Sequence, residues 1–271
     1  MPELPEVETV RNTLKKSILG LTITGVNIFY ENIIVGCADD FIKNTINKTI
    51  KDILRYGKFL IFVLNDGNIL CHLRMEGKLF YEPKGKIENK HIHVVFDLSN
   101  GYTLSFQDVR KFGRMIYKDN NDLYTTTPLK DLGEDLILNE NIKAEEILKI
   151  LNRKNIPIKT ALLDQSILCG LGNIYVDEVL YQSHILPNRS CKTITLMDVS
   201  NILLASRQIL SKAIEQKGTT IRSYTSSLGV IGGYQNYLQV HTKTVCPICN
   251  NKINKMKIGG RTSYFCNHCQ R

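Results

Sequence analysis

The sequence predicts an α+β protein, and three observations carry that expectation. Apolar residues at helical spacing open the chain, short β-type runs divided by turn residues follow to about residue 117, and helical periodicity returns beyond residue 128. Two closely spaced cysteine pairs then end the sequence. A chain of 271 residues with 43% apolar content can fill two modest cores. The expected division is an antiparallel sheet domain over 1–130, a mainly helical domain over 131–235, and a cysteine-bearing tail over 236–271.

Residues 3 to 19 read as a helix, because Val7, Val10, Leu14 and Ile18 recur at spacings of three and four and Gly20 follows as a stop. From about 21 to 117 the texture changes to short β-type runs with turn signals between them. FLIFVL and ILCHLRM flank the turn NDGN, and HIHVVFDL and YTLSF flank Ser99-Asn100-Gly101, giving two hairpins of an antiparallel sheet. After Thr125-Thr126-Thr127-Pro128 the segments AEEILKIL and TLMDVSNILLASRQILSKAIEQ carry helical periodicity. The stretch from 218 to 236 is rich in Gly, Ser and Thr and reads as a mobile loop.

A net charge of +9 and an isoelectric point near 9.1 favour a polyanionic partner, although a basic balance also describes an ordinary solvated surface. No apolar run approaches the roughly 18 residues of a membrane span, and the opening MPELPEVETV is acidic where a signal peptide is basic and apolar. The expectation is a cytoplasmic monomer with no membrane partner.

Of the eight cysteines, Cys37, Cys71, Cys169 and Cys191 are scattered, while Cys246, Cys249, Cys266 and Cys269 form two Cys-x-x-Cys knuckles. That spacing suits a closed tetrahedral thiolate site for one structural zinc ion, with no position left for a catalytic water. A redox pair or an iron centre is the competing reading, with His268 as an alternative ligand. Between the knuckles, Lys252, Lys255 and Lys257 precede Gly259-Gly260-Arg261-Thr262, a basic hairpin whose glycines let backbone approach phosphates. Zinc ribbons also bind proteins, so the tail alone names no reaction.

Once methionine is removed, as a small second residue favours, Pro2 presents a secondary amine. An α-amino group titrates near ~7.7 to 8.0, against ~10.4 for lysine, so far more of it is nucleophilic at neutral pH. Attack on a sugar C1′ expels the base and leaves an iminium. A retained Met1 would acylate that nitrogen and remove the nucleophile. Glu3 and Glu6 stand in the first turn of the expected helix, where the helix dipole favours them without any catalytic role.

PELPEVETV resembles the opening of the formamidopyrimidine-DNA glycosylase family. YGKFL at 56–60, HLRMEGK at 72–78, QDVRKFG at 107–113, LLDQSILCGLGNIYVDEVL at 162–180 and GGRTSYFCNHCQ resemble it further, in the same order and over essentially the whole chain. The resemblance implies an N-terminal antiparallel β-sandwich, a helix-two-turns-helix domain and a zinc-finger hairpin. It implies excision of oxidised purines, 8-oxoguanine and formamidopyrimidines, from damaged duplex DNA, followed by strand cleavage through β,δ-elimination. Pro2 corresponds to the nucleophile, Glu3 to its acid partner and Lys58 to a lysine beside the lesion that contacts phosphate and assists the chemistry. Met75, Arg110 and Phe112 correspond to three residues that fill the hole left by a flipped base, a task suited to an apolar plug, a hydrogen-bonding cation and an aromatic wedge. By the bland reading Met75 and Phe112 are core residues and Arg110 pairs with Asp108 at the surface.

Asn173, with Gly170 and Gly172, matches a turn presenting donors to phosphates; Lys159 and Arg261 match further phosphate-binding positions, and Arg261 is grouped with the catalytic residues. His72, His91 and Tyr237 resemble backbone contacts. His91 and His93 also share a strand face and could in principle bind a metal, but with no cysteines or acids nearby in a suitable pattern the face reads as polar sheet surface. Gly218-Thr219-Thr220 begins a lesion-capping loop. The match departs at GGYQNYLQVHTKTVC, where His241-Thr242-Lys243 replaces a tyrosine-glycine-arginine segment. Two rivals remain: the endonuclease VIII-like group, which usually has glycine where Leu4 stands and lacks the Met75, Arg110 and Phe112 combination, and a zinc-ribbon DNA-binding protein without catalysis.

Overall fold

A computed structural model of the chain describes residues 2–85, 89–219 and 232–271. Its contacts divide into two compact units, the first from 1–130 with 217–232, the second from 131–216 with 233–271.

In the first unit, α1 (Leu4–Ile18) forms where the apolar period predicts it, and Val7, Val10, Leu14 and Ile18 are all buried. Pro5 sits in the opening turn, where a missing N–H costs no helical hydrogen bond. The strands are β1 (Ile23–Ile28), β2 (Ile50–Tyr56), β3 (Phe59–Leu64), β4 (Asn68–His72), β5 (Lys78–Pro83), β6 (Ile92–Leu98), β7 (Tyr102–Gln107) and β8 (Arg114–Lys118). They build two antiparallel four-stranded sheets, ordered β1-β6-β7-β5 and β2-β3-β4-β8. Both expected hairpins are present, as β3–β4 and β6–β7. Phe62, Ile69 and Met115 from one sheet join Leu79, Phe96 and Leu104 from the other and the inner face of α1 in one apolar core. The region 21–117 also holds a helix that the β-type texture does not announce. Ala38–Thr45 forms α2, whose first turn holds Asp39 and Asp40 and whose Phe41 is buried. Helix dipole and one apolar anchor outweigh the β texture of its neighbours.

The second unit contains α3 (Ala144–Asn152), α4 (Ile158–Leu162), α5 (Asn173–Gln182) and α6 (Leu196–Glu215). Thr195 caps α6, its hydroxyl accepting from the Asp198 amide at 3.2 Å while Asp198 accepts from the Thr195 amide at 2.9 Å. Every residue from Ile174 to Tyr181 is buried, so α5 is the spine of this unit. A short parallel pair, β9 (Glu134–Asp135) with β10 (Leu168–Cys169), and the hairpin β11 (Asn254–Ile258) with β12 (Arg261–Phe265) complete it. Of the Gly/Ser/Thr-rich stretch, 220–231 lies outside the described residues, and Tyr234–Asn236 forms a single helical turn. No helix among the described residues is long and apolar enough to cross a membrane.

Candidate active site

Pro2 and Glu3 are both buried, and Glu3 is 1% exposed at the head of α1. Glu6 organises this end of the helix. One of its carboxylate oxygens accepts from the Glu3 amide at 2.8 Å, the other from the Thr219 amide at 2.7 Å and the Thr219 hydroxyl at 3.1 Å. Gly218 has φ +76°, and a Cβ there would lie 2.6 Å from the Glu6 oxygen, so only glycine suits the position. The start of the expected capping loop is thereby tied to the first turn of α1. Thr220 and the rest of that loop lie outside the described residues.

Lys58 occupies the tight turn between β2 and β3 with Gly57, whose φ is +55°. Arg55 braces that turn, donating to the Gly57 carbonyl at 3.0 Å and to Glu8 of α1 at 2.8 Å. His72 ends β4, its ring set edge-on to Phe59 with centroids 4.6 Å apart. Burial, helped by the Arg74 and Lys58 cations, lowers its pKa to about 3, so it is neutral at physiological pH. Since Nδ1 accepts from the Arg74 amide at 2.9 Å, the proton resides on Nε2 and makes that atom a donor.

Met75 lies in the turn after β4 and is half-buried, while Arg110 and Phe112 are exposed, Phe112 by 46%. Neither Met75 nor Phe112 is a core residue, and the Arg110 guanidinium lies 4.8 Å from the centroid of the Phe112 ring. Asp108 shapes their loop through the backbone. Its Oδ1 accepts from the Arg110 amide at 3.0 Å and its Oδ2 from the Phe112 and Gly113 amides at 2.8 and 2.7 Å. His93, which the sequence places on a polar surface, is instead buried, with Nε2 2.8 Å from the Asp108 carbonyl oxygen. A strand-face pattern does not reveal that a loop folds over the face. His91 precedes β6, its amide donating to Asn89 and its carbonyl accepting from the Asp108 amide. Asp108→Asn should destabilise the first unit by about 1–3 kcal/mol, because a carboxamide has one accepting oxygen and sets an NH2 donor against the amides that the other carboxylate oxygen serves. Unchanged thermal unfolding and unchanged hydrogen exchange at the amides of Phe112 and Gly113 would contradict this.

In the second unit the Lys159 side chain is fully buried, its ammonium donating to Asp177 of α5 at 2.7 Å and to the Thr262 carbonyl at 3.2 Å. Asn173, the first residue of α5, donates to the same carbonyl at 3.1 Å. Arg261 follows the Gly259-Gly260 turn, where both φ values are positive as a two-residue hairpin requires, and it is exposed. Tyr237 is 42% exposed with the Lys212 ammonium 4.2 Å from its ring centroid.

The Sγ atoms of Cys246, Cys249, Cys266 and Cys269 lie within 4.8 Å of one another, and two pairs approach to 3.8 and 3.5 Å. Thiolates at ~2.3 Å from a tetrahedral zinc stand about 3.8 Å apart, so the donor set fits that ion in geometry and softness. The Tyr181 hydroxyl reaches Cys246 Sγ at 3.1 Å, and Gln270 accepts from the Cys266 amide while donating to the Ile185 carbonyl. These bonds fasten the knuckles to the end of α5. His268 is not in the cluster, and no other group of potential ligands occurs among the described residues.

Family models match along the chain: the formamidopyrimidine-DNA glycosylase N-terminal domain at 1–115, the formamidopyrimidine-DNA glycosylase H2TH domain at 132–225, and the zinc finger found in FPG and IleRS at 245–271. The chain is 42% identical to a formamidopyrimidine-DNA glycosylase of Lactobacillus johnsonii, covering 100% of this chain and 99% of the relative. It is 40% identical to that of Streptococcus pneumoniae over the same shares. The Lactococcus lactis Fpg solved with abasic-site DNA superimposes with a TM-score of 0.93 at 36% identity, and a MutM solved with carbocyclic 8-oxo-G DNA with 0.92 at 35%, each covering 100% of both chains. Identity at this level over the full length, with the four thiols assembled where the zinc-finger model falls, shows that the chain belongs to the formamidopyrimidine-DNA glycosylase family.

Proposed function

We propose that this chain is a DNA glycosylase of base excision repair that removes oxidised purines from duplex DNA and then cleaves the strand as an AP lyase. The observation that carries the reading is the buried head of α1, where Pro2 and Glu3 stand on a rigid helix start braced by Glu6. The Pro2 amine attacks C1′, and the glycosidic electron pair leaves with the base. Glu3 protonates O4′ as the deoxyribose ring opens, leaving a cationic iminium between Pro2 and C1′. That cation accepts the electrons freed when the C2′ proton departs, and the 3′ phosphate leaves; a second elimination releases the 5′ phosphate. Hydrolysis of the last iminium returns the amine.

Lys58 holds a phosphate beside the lesion, and His72 donates to the backbone through Nε2. Met75, Arg110 and Phe112 enter the stack vacated by the base, a role supported by the exposure of Arg110 and Phe112 on a loop held by Asp108, with Met75 half-buried in the separate turn after β4. His91 adds a further contact from the same unit. Asn173, Arg261 and Tyr237 bind phosphates from the second unit, where Lys159 acts through Asp177 and the Thr262 carbonyl. The zinc ion holds the hairpin and takes no part in the bond changes. Residues 1–130 carry the chemistry, 131–235 and 236–271 the grip, and the protein works as a cytoplasmic monomer.

Borohydride trapping on a duplex with one 8-oxoguanine opposite cytosine tests this. A covalent adduct mapped to Pro2 is the expected result. Tight binding without an adduct, from protein with a verified Pro2 terminus, would leave a non-catalytic damage binder.

A further inference from the structure

We propose that His241 is a positioning residue for the phosphate-gripping hairpin, acting through Asp177; the inference rests on the duplex-binding reading above. His241 opens the segment at which the sequence departs from its family pattern. Its Nδ1 lies 2.8 Å from Asp177 Oδ2, the same oxygen that accepts from the Tyr264 amide of β12 at 3.3 Å, while the other oxygen holds Lys159. With the carboxylate accepting, Nδ1 carries the proton. The ring also packs edge-on to Tyr264 with centroids 4.9 Å apart.

Asp177 therefore joins three parts of the unit: α4 through Lys159, the 239–243 segment through His241, and β12 through Tyr264. Lys159 and Asn173 converge on the Thr262 carbonyl, one residue from Arg261, so the orientation of that buried carboxylate fixes where the exposed arginine stands. The segment bearing His241 is itself held. The amides of Gln239, Val240 and His241 all donate to Glu178 at 2.7–3.0 Å, and Thr242 adopts φ +66°, a strained conformation for a β-branched residue. Glu178 fastens the backbone, which leaves the imidazole to steer Asp177. Without it, Oδ2 keeps only the longer Tyr264 amide bond, so the carboxylate is held less firmly about Cβ–Cγ and Lys159 with it.

The test is a double-mutant cycle of His241→Ala and Arg261→Ala, read as affinity for a short undamaged DNA duplex across a salt series, with zinc content and the rescue variant His241→Asn alongside. His241→Ala should weaken binding about tenfold and lower the salt slope by about one phosphate. The double variant should bind no worse than Arg261→Ala alone, since the histidine acts through the arginine. His241→Asn, whose amide nitrogen can reach Asp177, should recover most of the loss with zinc retained in every variant. Additive losses, an unrescued asparagine variant, or zinc loss in His241→Ala would each overturn the inference while leaving the glycosylase reading in place. Wild-type protein that ignores the duplex would instead overturn that reading, and this inference with it.

Discussion

Replacing Pro2 by glycine should cut base release and strand cleavage at least about a hundredfold while changing duplex affinity by less than a few-fold. Glycine keeps a terminal amine but loses two properties of proline. Its adduct at C1′ is a neutral imine that needs a further proton to become an electron sink, whereas a secondary amine gives a cation at once. Its backbone also loses the ring that fixes the direction of the nitrogen, on a helix start that is otherwise rigid. Single-turnover rates at saturating enzyme, with filter or anisotropy binding beside them, check both halves. Unchanged chemistry would remove Pro2 as the nucleophile, and an equal loss in binding would make its role structural.

Cys266→Ser should remove zinc and unfold the β11–β12 hairpin while the first unit melts as before. A closed thiolate site supplies about 10–16 kcal/mol of apparent binding energy to a finger, far more than a hairpin of this size can replace. Cys266 is fully buried among Tyr181, Val240 and Ile253, so the hairpin loses its packing at that end along with the metal. Metal analysis and two-probe thermal unfolding read the outcome, and DNA affinity should fall with the hairpin because Arg261 and the Thr262 carbonyl ride on it. Full zinc occupancy in the variant, or unchanged affinity after zinc loss, would contradict the structural role of the site.

Some elements were legible because their signal is local. The apolar periods of α1 and α6, the turn residues of the β3–β4 and β6–β7 hairpins and the thiol spacing each depend on residues near one another in the chain. Helix α2 was not, because its eight residues give too short a pattern to stand out from neighbouring strands. The site residues were named from resemblance, and the departure at His241 marked the place where pattern alone said least. The residues behind the site had no local signature. Asp108 reads as half of a surface ion pair until its carboxylate is found bonded to loop amides, and Glu6 as a dipole partner until Thr219, more than two hundred positions later, returns to it.

The sequence by itself determined that this protein has an α+β fold and a four-thiolate zinc site, because periodicity, turn chemistry and ligand spacing are written within short stretches of chain. Only the tertiary structure decided which polar groups are buried and what satisfies them: Glu6 with Thr219, His93 with Asp108, and Asp177 with Lys159 and His241. Those pairings join residues distant in sequence. A buried charge or donor must find its partner in space, and no local pattern records which partner that is.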